Sequence, residues 1–540
     1  MGAEFGGSSL RLRARGPVIG ASPPPSSEGD DMATQAEGQM LSEKIAPVLV
    51  AKTLGPFDLV VIFIAIVLFI TNGASVQPAG PSMFIFWPIA FLTFLITGAF
   101  VTAQLGRMFP EEGSLYVWTH KVLGPFWGFF AGFVAWWPGP IVMVSAGIIV
   151  VSFIQQIGTF LDKSILTQNW EVGIVVLLVL WFSAAMSLLR MRLTQNYVNV
   201  QFFFYASVIF LIGLSGVVWL LKGNPSATSF STGWNPFGGD KLALGVPANL
   251  TWFSFAILAL LGIETPLNMG VETTGGEKGI RTYLLWGCAI VMVAYLWATW
   301  GNMVVIEAGK ANGTTGGAET VAIALGRWTG AAVSLVLAWV LLTVACVYNY
   351  SFGRLLFVSG LEKRMPHQIG RVNRNQVPAN AITLQSAIST ILTIVVFFVF
   401  GSGGSDPYKY FFILYAGVTI VWCISTALLF LDIFFAKRQE PERFERERRV
   451  PTGFLYLCGV VGFVINILAV LFIFVGSWYP PGFPTLAEWN AWMVGFTVVS
   501  VLAGVVIWFA SQSARKGRTD EQLIELGEAQ REIVEDMPSA

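Results

Sequence analysis

Residues 250–272 read L-T-W-F-S-F-A-I-L-A-L-L-G-I-E-T-P-L-N-M-G-V-E. The stretch is apolar enough to enter a bilayer, yet Gly262, Glu264, Thr265, Pro266 and Asn268 follow one another closely inside it. Pro266 has no amide hydrogen to give a helix, and Gly262 weakens the helical ladder further. An ionised carboxylate at the centre of a membrane span costs at least about 2.5 kcal/mol on insertion scales. Such a group persists where backbone and carboxylate line a protected cavity. The stretch is therefore expected to be a broken helix and part of a substrate site.

The surrounding chain fits that reading. Of its 540 residues, 55% are hydrophobic and only 12% charged, and the mean hydropathy is +0.67. Soluble domains carry roughly 25% charged residues, so composition excludes a water-soluble enzyme and predicts an all-α polytopic membrane protein. A formal net charge of zero argues against nucleic-acid partners. Cys288, Cys346, Cys423 and Cys458 all lie in apolar runs, and His120 and His367 sit in hydrophilic connections. No metal site, cofactor or catalytic set is expected from them.

About twelve apolar runs, referred to below as spans 1–12, fall near 57–80, 83–105, 125–155, 171–189, 197–221, 249–271, 283–306, 329–358, 379–400, 409–435, 454–476 and 489–510. Each is close to the ~20 residues that cross a bilayer. Residues 1–45 are rich in Gly, Ser, Pro and Ala and read as a disordered tail, with Met1, Met32 and Met40 as alternative starts. Residues 46–510 are expected to form one membrane-spanning domain, and 511–540 an acidic tail. With the N-terminus inside, the inner connections hold twenty Lys and Arg, Arg354 and Arg281 among them, against six outside. The positive-inside rule then supports an even span count with both termini in the cytoplasm.

Span 6 has a counterpart. In span 1, Thr71, Asn72, Gly73, Ala74 and Ser75 interrupt an equally apolar run, five spans earlier. Two interrupted spans in corresponding positions point to a 5+5 inverted repeat of spans 1–5 and 6–10, with 11 and 12 added, and a midplane site. A broken helix exposes unpaired carbonyls at one side of the gap and unpaired amides at the other. Facing breaks can therefore hold both ends of a zwitterion, which makes an α-amino acid the natural ligand. The substrate carboxylate is expected at the amides of Thr71–Ser75, and the ammonium at carbonyls preceding Gly262. Candidate site residues are Thr71, Asn72, Gly73, Ala74 and Ser75 from span 1, and Leu261, Gly262, Ile263, Glu264 and Thr265 from span 6. Trp136, Tyr348 and Asn349 complete the set, although an aromatic pair such as Trp136-Trp137 more often packs or anchors. Glu264 is the candidate coupling group, with a structural role in holding the break open as the alternative. Glu272 and Lys278 are candidate gate residues, Glu272 pairing with Lys278 or Arg281. Asp58 and Asp432 are expected near span ends, facing the cytoplasm.

Several stretches resemble the amino acid–polyamine–organocation (APC) transporter superfamily, and within it the bacterial glutamate/γ-aminobutyrate antiporter branch. They are Glu111–Phe129 (E-E-G-S-L-Y-V-W-T-H-K-V-L-G-P-F-W-G-F), Gly262 and Glu264 with Glu272 eight residues on, Gly353-Arg354 with Met365-Pro366 and Val377-Pro378, and the loop Pro441–Gly453. The chain departs from the pattern with T-N-G-A in the span 1 break, with Gly275-Gly276 after span 6, and with a short acidic tail. The resemblance implies a LeuT-like fold with spans 1, 3, 6, 8 and 10 around the site. It implies secondary transport of amino acids or related amines by alternating access, as antiport or proton symport. A transporter-fold amino acid sensor and a polyamine or other organic-cation permease are the alternatives. Expected partners are the small-molecule substrate, protons as coupling ion, and the lipid bilayer.

Overall fold

A computed structural model describes residues 40–401, 407–478, 483 and 485–515. Among the described residues, eleven helices are long and apolar enough to cross a membrane. They match the expected spans 1–5 and 7–12: Pro56–Ser75, Gln77–Met108, Pro125–Phe160, Asn169–Ser187, Met191–Leu221, Gly276–Val305, Arg327–Leu361, Ala379–Phe400, Lys409–Gln439, Thr452–Val475 and Leu486–Gln512. The span missing from that set is the sixth. Its helix Asn249–Leu258 is too short, because the chain leaves helical geometry after it and re-enters only as the 3₁₀ turn Thr265–Met269. Gly262 sits between them at φ +103°, a backbone region that favours glycine. Pro266 opens the 3₁₀ turn, where its missing amide hydrogen costs nothing.

Span 1 is interrupted as well. The helix Pro56–Val67 ends, Leu68 turns out at φ −94°, ψ 85°, and a short helix Thr71–Ser75 resumes. Inside the protein, span 8 packs along span 3, while span 7 lies against spans 1 and 5. A helix that the sequence did not announce, Gly316–Leu325, follows span 7 and covers the Thr71–Ser75 end of span 1. There Ser75 Oγ donates to Gly313 O at 2.7 Å.

Two sequence expectations change here. Residues 41–45 belong to a helix, Leu41–Leu49, rather than to a tail, and Ser42 N donates to Glu362 Oε1 at 2.7 Å. Its apolar face, with Leu41, Ile45, Ala46 and Leu49, is buried, which composition alone could not show. Residues 1–39 and 516–540 of the expected tails lie outside the described residues. Arg354, assigned to a loop, is fully buried inside span 8. Glu362 follows span 8, and the Arg364 guanidinium lies 3.7 Å over the ring of Trp508 near the end of span 12. The Leu41–Leu49 helix and the end of span 12 thus share one face, the arginine-rich one. The loop between spans 10 and 11 docks on the same face: its helix Pro441–Glu447 buries Phe444, accepts Gln104 Nε2 at Phe444 O (3.2 Å), and accepts Arg107 Nε at Glu447 O (3.0 Å).

Candidate functional site

In the span 1 break, tyrosine hydroxyls meet the backbone groups that leave the helix. Tyr348 OH donates to Ile66 O at 2.9 Å, and Tyr205 OH donates to Leu68 O. Phe69 N donates to Tyr295 OH at 3.1 Å, and Ile70 N to Tyr205 OH at 2.9 Å. Tyr295 also bridges to span 6. Its hydroxyl lies 2.9 Å from Val67 O, 3.2 Å from Ala259 O and 3.4 Å from Phe69 O. A phenol has one hydrogen to give, so three carbonyls from two broken helices converge on one donor.

The span 6 break has the opposite deficit. Among the described residues, no acceptor meets the amides of Gly262 and Ile263, and both residues are buried. A buried unpaired amide costs roughly 1–3 kcal/mol, so this gap holds donors ready for an anion. Beside them, Glu264 is 2% exposed. Its Oε1 accepts Trp422 Nε1 at 3.4 Å, and among the described residues its Oε2 has no hydrogen-bond partner. Gly262 is enclosed: a Cβ there would stand 2.7 Å from Ile66 Cγ2 and 2.9 Å from Trp422 Cζ2. The two breaks therefore touch at Gly262 and Ile66. Tyr348 closes the wall, stacked on Phe352 at 4.9 Å and edge-on to Trp422 and Phe69.

The expected site residues divide. Asn72 is buried, accepts Tyr415 OH at 3.1 Å, and places Nδ2 3.4 Å from Tyr295 OH. Thr71 is buried beside it. Gly73, Ala74 and Ser75 turn the other way: Gly73 faces Thr299 and Ala298 of span 7, while Ala74 and Ser75 meet Gly316 and Gly313. Leu261, Gly262, Ile263, Glu264 and Thr265 are all buried in the second break. Ile263 O accepts Tyr283 OH at 3.3 Å, and Thr265 O accepts Ser351 Oγ at 3.3 Å. Trp136 and Asn349 join a separate polar cluster on span 9. Trp136 Nε1 donates to Gln385 Oε1 at 2.9 Å, and Asn349 bonds Ser386 and Gln385 at 2.9 and 3.3 Å.

The expected partner of Glu272 is also replaced. Glu272 grips Arg354, at 2.8 Å to Nε and 3.1 Å to Nη2, and the pair is buried. Glu112 stands 4.0 Å from the same Nε and accepts Val271 N at 3.1 Å. Burial first, and then the Glu272 charge, hold the Glu112 carboxyl well above the usual carboxylate range, against the pull of Arg354. Lys278 is exposed and makes no ion pair among the described residues. Asp58 and Asp432 are buried rather than facing solvent: Asp58 holds Arg192 at 2.7 Å and Asn199 at 2.6 Å, and Asp432 accepts Thr119 Oγ1 at 2.6 Å. Sequence reasoning missed Tyr205, Tyr283, Tyr295, Trp422 and the Arg354–Glu272 pair. Arg354 carried a usable signal, since an ionisable residue within an apolar span marks a functional position.

Broken helices facing each other within a bundle of apolar spans define a membrane transporter. Residues 54–502 match the model of the family described as "Amino acid permease", and the chain belongs to that family. Relatives include the inner membrane transporter YjeM of Escherichia coli, 23% identical over 495 residues that cover 83% of this chain and 94% of the relative. The aromatic amino acid transport protein AroP of Escherichia coli is 25% identical over 437 residues, 77% and 86% of the two chains. A Lactococcus lactis protein named "Probable agmatine/putrescine antiporter AguD" is 22% identical over 306 residues, 53% of this chain and 59% of the relative.

Proposed function

We propose that this permease is a secondary transporter of α-amino acids or related amines, working by alternating access, with its substrate at the junction of the two breaks. The observation that carries the reading is the opposite deficit of the gaps. Val67 O and Ala259 O share the one hydrogen that Tyr295 can give, while Phe69 O already accepts Asn72 N at 2.9 Å, so two carbonyls compete for one donor, which suits an ammonium. Gly262 and Ile263 offer unpaired amides, which suits a carboxylate in charge-assisted bonds. This moves the proposed carboxylate from the Thr71–Ser75 amides to span 6, and leaves Thr71 and Asn72 as the span 1 wall. Trp136 and Asn349 act as second-layer supports through Gln385. Spans 1–5 and 6–10 form the inverted repeat, supported by the breaks at corresponding positions. The arginine-rich face is cytoplasmic, supported by the positive-inside count, so both termini are inside.

Glu264 couples the cycle by carrying a proton, a role supported by its burial and its unpartnered Oε2. The Arg354–Glu272 pair, with Glu112, is the inner gate, because it ties the arm that follows the span 6 break to span 8. An organic-cation substrate is the second reading, favoured by one observation: Oε2 of Glu264 offers one ammonium of an amine or diamine a counter-ion without any use of the amides. The test is exchange of labelled amino acids and diamines in proteoliposomes, with and without a pH gradient. Exchange of zwitterions, losing its pH dependence in Glu264→Gln, supports the first reading; exchange of diamines alone selects the second. Accumulation of no amino acid or amine under either gradient contradicts both.

A further inference from the structure

Away from the substrate site, spans 2 and 7 flank a groove of about 590 Å³ on the outer surface of the protein. Phe100, Leu284, Leu285, Cys288 and Met292 form its apolar part, and Leu285 is 60% exposed on this flank of an apolar span. The arginine-rich end is different in kind. Arg107 of span 2, Arg281 of span 7 and Arg449 of the span 10–11 loop stand there with one lining carboxylate, Glu277. That carboxylate is committed to Arg449, which grips it at 3.0 and 3.1 Å. Nearby Glu447 gives its carboxylate to Arg446 at 3.1 Å. Arg281 is exposed and makes no hydrogen bond or ion pair among the described residues.

The dimensions fit one leaflet. Arg281 to Met292 covers eleven helical steps, about 16 Å at 1.5 Å per residue. Arg107 back to Ile96 on span 2 is the same distance in the opposite chain direction. Half of a ~30 Å hydrocarbon core is about 15 Å. The cationic end therefore lies at headgroup depth when the apolar end lies near the bilayer centre. A free anion would leave that apolar length unused. A zwitterionic headgroup would bring a fourth cation to three guanidiniums and an already occupied carboxylate.

We propose that this groove is a binding site for one anionic phospholipid, its phosphate held by Arg281 beside the Arg449–Glu277 pair and one acyl chain lying along Phe100, Leu285 and Met292. The site ties span 7 to the charged loop on the arginine-rich face. Span 7 begins at Gly276, directly after the arm that carries Glu272.

The test uses the full chain in detergent, with native mass spectrometry to count retained lipid and thermal melting to read stability. The probes are dioleoyl-phosphatidylglycerol, dioleoyl-phosphatidylcholine and sodium phosphate. Phosphatidylglycerol is expected to be retained at one molecule per chain and to raise the melting temperature, because it binds only the folded state. Arg281→Gln should weaken retention about fivefold, the contribution of one arginine near an anionic surface. Ala289→Phe should block it by filling the groove without altering charge, and Lys52→Gln, an exposed control on the same face, should leave it unchanged. Equal retention of the two lipids overturns the proposal, as does wild-type retention by Arg281→Gln. Stabilisation by sodium phosphate equal to that by phosphatidylglycerol also overturns it, by assigning a free-anion site.

Discussion

In span 1 the chain leaves the helix at Leu68, and tyrosines from spans 5, 7 and 8 take up the backbone groups that this frees. In span 6 it leaves at Ala259, and among the described residues no acceptor meets the buried amides of Gly262 and Ile263. Both gaps break a helix in an apolar bundle, yet among the described residues the first is stitched at Leu68–Ile70 and leaves the single amide of Thr71 without an acceptor, while the second leaves two adjacent amides for something else to fill. The difference teaches how a paired break divides its labour. The stitched gap keeps its shape without ligand, while the open one stores an unsatisfied demand of roughly 1–3 kcal/mol per amide that a bound carboxylate relieves.

Span 6 is tethered at its far end by the buried Arg354–Glu272 pair, so the largest effect comes from cutting that tether. Arg354→Met should cost about 3–5 kcal/mol, because it leaves a buried carboxylate without its counter-ion; melting curves read the loss. A smaller but more specific loss follows Gly262→Ala. Its Cβ meets Ile66 and Trp422 at under 3 Å, and φ is +103°. Overpacking of about 1–3 kcal/mol with about 1 kcal/mol or more of backbone strain should abolish exchange in proteoliposomes. Tyr295→Phe probes the stitched side. It keeps the ring stacked on Trp87 at 4.5 Å but removes the hydrogen shared among three carbonyls, for about 1–3 kcal/mol in thermal stability.

Glu112 adds a pH dependence at the tether. Its folded-state carboxyl titrates well above the ordinary 4.5, so the folded protein prefers the protonated form. That stability is fully present below the ordinary value and is lost as pH rises through the elevated one. Stability should fall with rising pH by up to about 1.4 kcal/mol per pH unit from this group, read as a falling melting temperature, and Glu112→Gln should flatten the slope. The smallest effect belongs to Gly73→Ala. Its Cβ finds 3.5 Å of room beside Thr299 Oγ1, so stability should change by less than about 1 kcal/mol and exchange should persist.

The breaks themselves were legible in the sequence, because Gly262 and Pro266 act on the backbone regardless of what surrounds them. The twelve spans were legible for the same kind of reason, since length and apolarity are local. What filled the breaks was not. Tyr205 and Tyr295 sit in apolar runs where an aromatic residue reads as core, and only the fold shows that their hydroxyls reach another helix. Direction was equally hidden: Gly73, Ala74 and Ser75 adjoin Asn72 in sequence but face span 7 and the Gly316–Leu325 helix, and Asn349 adjoins Tyr348 but faces span 9. The pairing of Glu272 with Arg354 rather than Lys278 depends on how span 8 packs, which charge spacing along the chain cannot reveal.

The central claim is that the span 6 break, not the span 1 break, is the half left open for ligand. It is tested most directly by ligand-induced thermal shift across a panel of amino acids and amines, on the unmodified protein, Gly262→Ala and Gly73→Ala. The account predicts that the shift given by the best ligand survives in Gly73→Ala and disappears in Gly262→Ala, with both variants still melting cooperatively. A shift that survives in Gly262→Ala, or that is lost in a well-folded Gly73→Ala, would contradict it.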